Sequence, residues 1–124
     1  MKIKLNDWKV QEMTFSVVKN DDRKEDSFDL KTSQFFPEDD KRSFSLLFEI
    51  DVKDTDFDMF IKMLAIFELD EDITEEFKVS DFPVINAPAI AFPYLRAVIS
   101  NITLQAGYRP VMLPSINFVE FAKK

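Results

Sequence analysis

Apolar and polar residues alternate along the first half of the chain, in runs separated by charged stretches, which is the period-two pattern of strands with one buried side. The clearest run is Ser43 to Lys53. There Phe44, Leu46, Phe48, Ile50 and Val52 share one side, and Ser43, Ser45, Glu49 and Asp51 share the other. Phe57 to Leu69 repeats the alternation, but its second side carries Phe60, Leu64 and Ile66, which predicts cover on both sides. Two strands are expected before these: Lys9 to Lys19, with Met13, Phe15 and Val17 aligned, and Ser27 to Phe36, with Phe28, Leu30 and Phe36 aligned. The charged stretch Asn20 to Asp26 predicts a solvated loop, and Pro37 with Glu38, Asp39 and Asp40 predicts a turn. Asp54-Thr55-Asp56 is short enough to be a hairpin link, so consecutive strands are expected to pair antiparallel.

After Asp70 the period changes. Glu71 to Phe77 predicts an acidic helical turn, and Asp81-Phe82-Pro83 a break. Leu95, Val98, Ile99, Ile102 and Ala106 recur at helical spacing until Gly107 supplies a stop. Asn86 and Pro88 suit the start of a helix, yet Pro93 would then break a backbone hydrogen bond inside the rod. The regular helix is therefore expected from near Ile90, with Pro93 in its first turn. Pro110 and Pro114 predict an extended segment from Tyr108 to Ile116, and Asn117 with Glu120 a short capped helix of barely two turns. Strands followed by helices make an α+β fold, and 124 residues fit one domain over 1–124.

Composition narrows the chemistry. A net charge of −7 has the wrong sign for a protein that neutralises phosphates, so nucleic acid is not an expected partner. Without cysteine or histidine the chain lacks thiolate metal sites, disulfides, the commonest zinc ligand and the commonest general base. A single glycine rules out a Gly-rich nucleotide loop, and no cofactor is expected. Fourteen phenylalanines are many for a small interior, so some are expected to face a partner. The N-terminus lacks the apolar core of a signal peptide and no apolar run of bilayer-spanning length is evident, which predicts a cytoplasmic protein not inserted in a membrane.

Candidate polar sites give way to plainer accounts. Tyr94, Arg96 and Asn101 share a helix but have no base or nucleophile beside them, which favours an interface over catalysis. Asp70, Glu71, Asp72, Glu75 and Glu76 lack the alternation and the glycine of a calcium loop, and are expected to be a solvated charge run. Asp39 and Asp40 read as turn residues. No enzymatic activity is expected.

The run Ala91-Phe92-Pro93-Tyr94-Leu95-Arg96-Ala97-Val98-Ile99-Ser100, then Gly107-Tyr108-Arg109-Pro110 and Leu113-Pro114-Ser115-Ile116-Asn117-Phe118, resembles the SecB family of protein-export chaperones. The match lies in order and spacing over about the last third of the chain, and more loosely in strand rhythm over the rest. The resemblance implies a four-stranded antiparallel sheet with one long and one short helix on one side, assembled as a dimer of dimers. It implies an ATP-independent holdase that keeps unfolded polypeptides soluble, with protein export as the use that the export members make of it. The helix bearing Tyr94, Arg96, Ala97 and Asn101 is then expected at an oligomer interface. Export members also dock on the SecA motor through acids of the first and fourth strands. The matching positions here are Glu12, Ser16 and Lys62, and the final helix is short, so SecA binding is expected to be weak. Service to a single client, such as an antitoxin, is the alternative.

Client contact is expected from Phe35 or Phe36, from Met112 and Leu113 between the two prolines, and from Phe118 and Phe121 on the last helix. Adjacent residues in a strand point to opposite sides, so Phe35 and Phe36 cannot enter one core together. For Phe118 and Phe121 a second role stays open, that of pinning the chain end to the core.

Overall fold

The structure is a computed structural model, and it describes residues 1–18 and 26–123. Most of the expected loop Asn20 to Asp26, and the expected strand end at Lys19, lie outside the described residues. Contacts within the chain gather into two compact units, Met1–Asp72 and Ile73–Lys124.

The first unit is an antiparallel sheet of β1 (Ile3–Val17), β2 (Ser27–Phe35), β3 (Ser43–Lys53) and β4 (Phe57–Leu69), in the order β1-β4-β3-β2. The limits of β3 and β4 are those the alternation predicts. Register puts Phe44, Leu46, Phe48, Ile50 and Val52 of β3 beside Phe67, Ala65, Met63, Ile61 and Met59 of β4, and all ten are buried. Stacked rings reinforce this side: Phe44 lies 5.1 Å from Phe67, and Phe15 lies 4.7 Å from Phe57. Full burial of Phe44, Phe57 and Phe67 contributes about 1.5–3 kcal/mol each, while Phe15 is half-buried. On the second side, Leu47 is buried but Phe60, Leu64 and Ile66 are only half-buried, so the cover expected there is partial. The β3–β4 link is closed by Asp54, whose carboxylate accepts from the Asp56 amide at 2.9 Å.

The first strand begins at Ile3, well before Lys9. Two register shifts explain why alternation alone misplaces its start. The pairing skips a residue between Leu5 and Asp7 and another between Val10 and Glu12, so β1 bulges twice. Each bulge turns a two-residue step into three, and Ile3, Leu5, Trp8, Val10, Met13, Phe15 and Val17 all fall on the first side.

The second unit opens with a single turn, α1 (Glu75–Lys78), capped by Thr74 Oγ1, which accepts from the Phe77 amide at 3.1 Å. The expected break at Phe82-Pro83 is instead a π-helical turn, Phe82–Asn86, leading directly into α2 (Ala87–Gln105). Pro93 therefore sits inside α2, not in its first turn. Its ring removes the bond that would reach the Ala89 carbonyl, and both residues are exposed, so water can serve that carbonyl. The segment Glu75–Gln105 is apolar and long enough, by length and composition alone, to match a membrane crossing, but the turn at 79–81 divides it into α1 and the longer helix that starts at Phe82. Ala91, Phe92, Leu95, Ile99 and Thr103 of α2 are buried within the folded chain, as in the core helix of a globular protein.

Gly107, at φ 95°, ends α2. Its amide donates to the Leu104 carbonyl and that of Tyr108 to the Thr103 carbonyl, both at 3.1 Å, which satisfies the last helical acceptors. The final helix, α3 (Phe118–Phe121), is one turn long. Asn117 Oδ1 caps it, accepting from the amides of Val119 at 3.0 Å and Glu120 at 3.3 Å.

Candidate functional site

The segment after α2 is held by hydroxyl groups of the helix. Ser100 Oγ donates to the Val111 carbonyl at 2.6 Å, and the Val111 amide donates to Thr103 Oγ1 at 2.9 Å. Between Pro110 and Pro114 the side chains then diverge. Met112 is 74% exposed and Leu113 is 4% exposed. Phe118 is buried, with its ring 5.5 Å from Phe92 and 5.5 Å from Phe121, both edge-on. Phe121 is half-buried. Of the four candidate contact residues in this unit, Met112 thus offers the most surface, Phe121 offers some, and Leu113 and Phe118 sit inside.

In the sheet unit Phe35 and Phe36 do point apart. Phe36 stacks on Phe44 with centroids 5.7 Å apart on the first side, while Phe35, opposite Ser45, lies on the second and is 52% exposed. The two units each carry an exposed candidate, Phe35 on one and Met112 on the other.

Exposed residues of α2 form a straight seam. Ile90, Tyr94, Ala97, Asn101 and Leu104 are spaced four, three, four and three apart, the spacing of a helix that packs along another helix. Arg96, half-buried, is the one charged residue of α2, so its exposed side lacks the charges that normally solvate a surface helix. Tyr94, Ala97 and Asn101 lie on the seam, and Arg96 lies off it. Sequence reasoning missed Ile90 and Leu104, although the four-three spacing through Tyr94 and Asn101 was there to be read.

A second missed group lies on β1. Trp8, Val10, Met13 and Val17 are all exposed on the first side, at the open edge of the sheet. The two bulges hid this stripe, because simple alternation assigns its members to different sides.

On the second side a row of charges crosses all four strands. Glu12 of β1 stands opposite Lys62 of β4, Lys62 opposite Glu49 of β3, and Glu49 opposite Lys31 of β2. Ser16, opposite Asp58, is on the same side. At the end of this unit Arg42 Nε donates to Asp72 Oδ1 at 2.9 Å, and that bond with the Asp72 charge holds the guanidinium above its ordinary range. Among the described residues no group of three acidic side chains is placed to hold a metal ion.

The family model described as SecB, preprotein translocase subunit SecB, matches residues 7–124. The protein-export protein SecB of Anaplasma phagocytophilum (strain HZ) is 40% identical over 65 residues, which is 52% of this chain and 41% of that protein. An uncharacterized protein of Methanocaldococcus jannaschii is 46% identical over 57 residues, 46% of this chain and 36% of that protein. The matched stretches thus span less than half of either relative. A Mycobacterium tuberculosis SecB-like chaperone, solved in complex with a ChAD peptide from the HigA1 antitoxin, shares the fold. Its TM-score is 0.72 at 12% identity, covering 92% of this chain and 87% of that one. A Streptococcus agalactiae protein of unknown function gives a TM-score of 0.56 at 11% identity, covering 92% and 98%.

Proposed function

Because this chain belongs to the SecB family, we propose that it is an ATP-independent holdase, a single chaperone domain over residues 1–124 that binds non-native polypeptides and keeps them soluble in the cytoplasm. The observation that carries this reading is the family match over residues 7–124, taken with large apolar side chains left exposed on fixed backbone, above all Phe35 and Met112. Apolar contact is non-directional and accepts many sequences, and a net charge of −7 keeps a loaded complex dispersed. Client contact is assigned to Phe35 on the sheet unit, with Phe36 on the other side of that strand end, and separately to Met112 and Phe121 on the second unit, where Leu113 and Phe118 are buried. Self-association through the α2 seam, as a dimer of dimers, would cover Tyr94, Ala97, Asn101 and Leu104. Light scattering of a denatured client diluted into buffer tests the reading: scattering should fall as this protein approaches the client concentration. Scattering unchanged at a tenfold excess would end it.

A dedicated chaperone for one client, such as an antitoxin, is the second reading. It is favoured by the antitoxin peptide bound to the M. tuberculosis relative and by Lys62, where an export SecB would carry an acid. One tight client with no general suppression of aggregation would select it.

A further inference from the structure

We propose that Ser100 and Thr103 are positioning residues for client binding. Their hydroxyls clamp both polar groups of Val111 and hold the chain between Pro110 and Pro114 as a fixed ledge from which Met112 projects. This inference rests on the client-binding reading above.

Thr103 is fully buried, and its hydroxyl is used twice. It donates to the Ile99 carbonyl at 2.9 Å, with the Ser100 carbonyl at 3.2 Å, and accepts from the Val111 amide at 2.9 Å. Bonding back to the preceding turn is ordinary for a threonine inside a helix, but here the hydroxyl oxygen also accepts from another segment. Ser100, one turn earlier, takes the Val111 carbonyl at 2.6 Å. One residue therefore has its donor and its acceptor satisfied by the side of a helix, as a strand would be by its neighbour.

The clamp sits where it governs Met112. The Gly107 turn anchors the segment upstream, and buried Leu113 anchors it downstream. Pro110 and Pro114 fix their own φ and donate nothing, so little backbone freedom is left outside the clamped residue. Ser100 Oγ also lies 3.5 Å from Met112 Sδ, which brings the same hydroxyl to the side chain it positions. A ledge ordered before the client arrives spares binding the entropy of ordering it, while the methionine terminus still adapts to varied sequences.

The test measures the dissociation constant for a fluorescently labelled, reduced and carboxymethylated polypeptide that cannot fold, together with exchange of the Val111 amide. Ser100→Ala and Thr103→Val should each speed Val111 exchange and weaken binding about three- to tenfold. Ser100→Thr and Thr103→Ser, which keep the hydroxyls, should restore both. In a Met112→Ser background the loss from Ser100→Ala should largely vanish, because the clamp acts through Met112, whereas a merely structural role would leave it undiminished. Should Thr103→Val fail to fold, Ser100→Ala carries the test alone. Wild-type protein that binds no unfolded chain would overturn the client-binding reading and this one with it. Wild-type binding that Met112→Ser weakens but Ser100→Ala leaves intact, despite faster Val111 exchange, would overturn the positioning role alone.

Discussion

Glu12 on β1 is the direct cross-strand partner of Lys62 on β4, and Lys62 has a second glutamate, Glu49, opposite it on β3. With Lys31 opposite Glu49, the row alternates in sign across the sheet, and each opposed pair of this kind contributes about 0.2–1 kcal/mol. By the resemblance to export SecB proteins, Lys62 stands at a position where an acid is expected, and here it lies between two glutamates across the sheet.

SecA binding should accordingly be weak and fall steeply with salt. Lys62→Glu would place three glutamates side by side, strengthen SecA binding and lower stability by about 1 kcal/mol. Calorimetry across a salt series, with thermal melts of both proteins, checks each part. Submicromolar binding by the wild type that resists salt would show that these positions do not govern docking.

Phe35 and Phe36 should separate binding from stability. Phe35 is exposed on the second side of the sheet, so Phe35→Ser should leave the melting curve nearly unchanged and weaken client binding by about 1–2 kcal/mol. Phe36 stacks on Phe44, so Phe36→Ser should lower stability by a similar amount, about 1–2 kcal/mol. Equal effects of the two on urea unfolding would contradict this division.

The α2 seam predicts association. Leu104→Glu and Ala97→Glu put a charge where a packed helix would exclude it, and should shift sedimentation toward the 14.5 kDa monomer without loss of helical circular dichroism. Arg96→Ala lies off the seam and should shift it less. Wild-type protein that sediments as a monomer at micromolar concentration would remove the seam's assigned purpose.

The strands most legible in the sequence were those with unbroken alternation. β3 and β4 keep strict period two from end to end, and their limits could be read directly. β1 could not be read so, because two bulges insert three-residue steps that mimic a loss of pattern. α2 was shortened for a related reason: a proline argues locally against a helix, but packing of Ala87, Pro88, Ala91 and Phe92 outweighs one lost hydrogen bond on an exposed side. At the candidate site the residue types were legible and their burial was not. Met112 and Leu113 are neighbours of similar hydrophobicity, and only the structure shows that Leu113 is buried and Met112 exposed.

The chain end offers a last discrimination, between a pin and a contact. Phe118 is 3% exposed and meets both Phe92 and Phe121 edge-on, so truncation would leave a cavity beside those two rings. Phe118→Ala should cost about 3 kcal/mol, in the range found for buried aromatic residues, and should loosen α3. Phe121 is half-buried and is held by Phe118, which has a second partner of its own. Phe121→Ser should therefore cost about 1 kcal/mol or less in stability and show its main effect on the client. Urea unfolding of both variants, beside their affinities for the same unfolded polypeptide, gives the two expected signatures. If Phe118→Ala retains wild-type stability, the helix end is not a pin. If Phe121→Ser loses stability but binds clients fully, Phe121 belongs with Phe118 beneath the surface and Met112 stands alone as the contact in this unit.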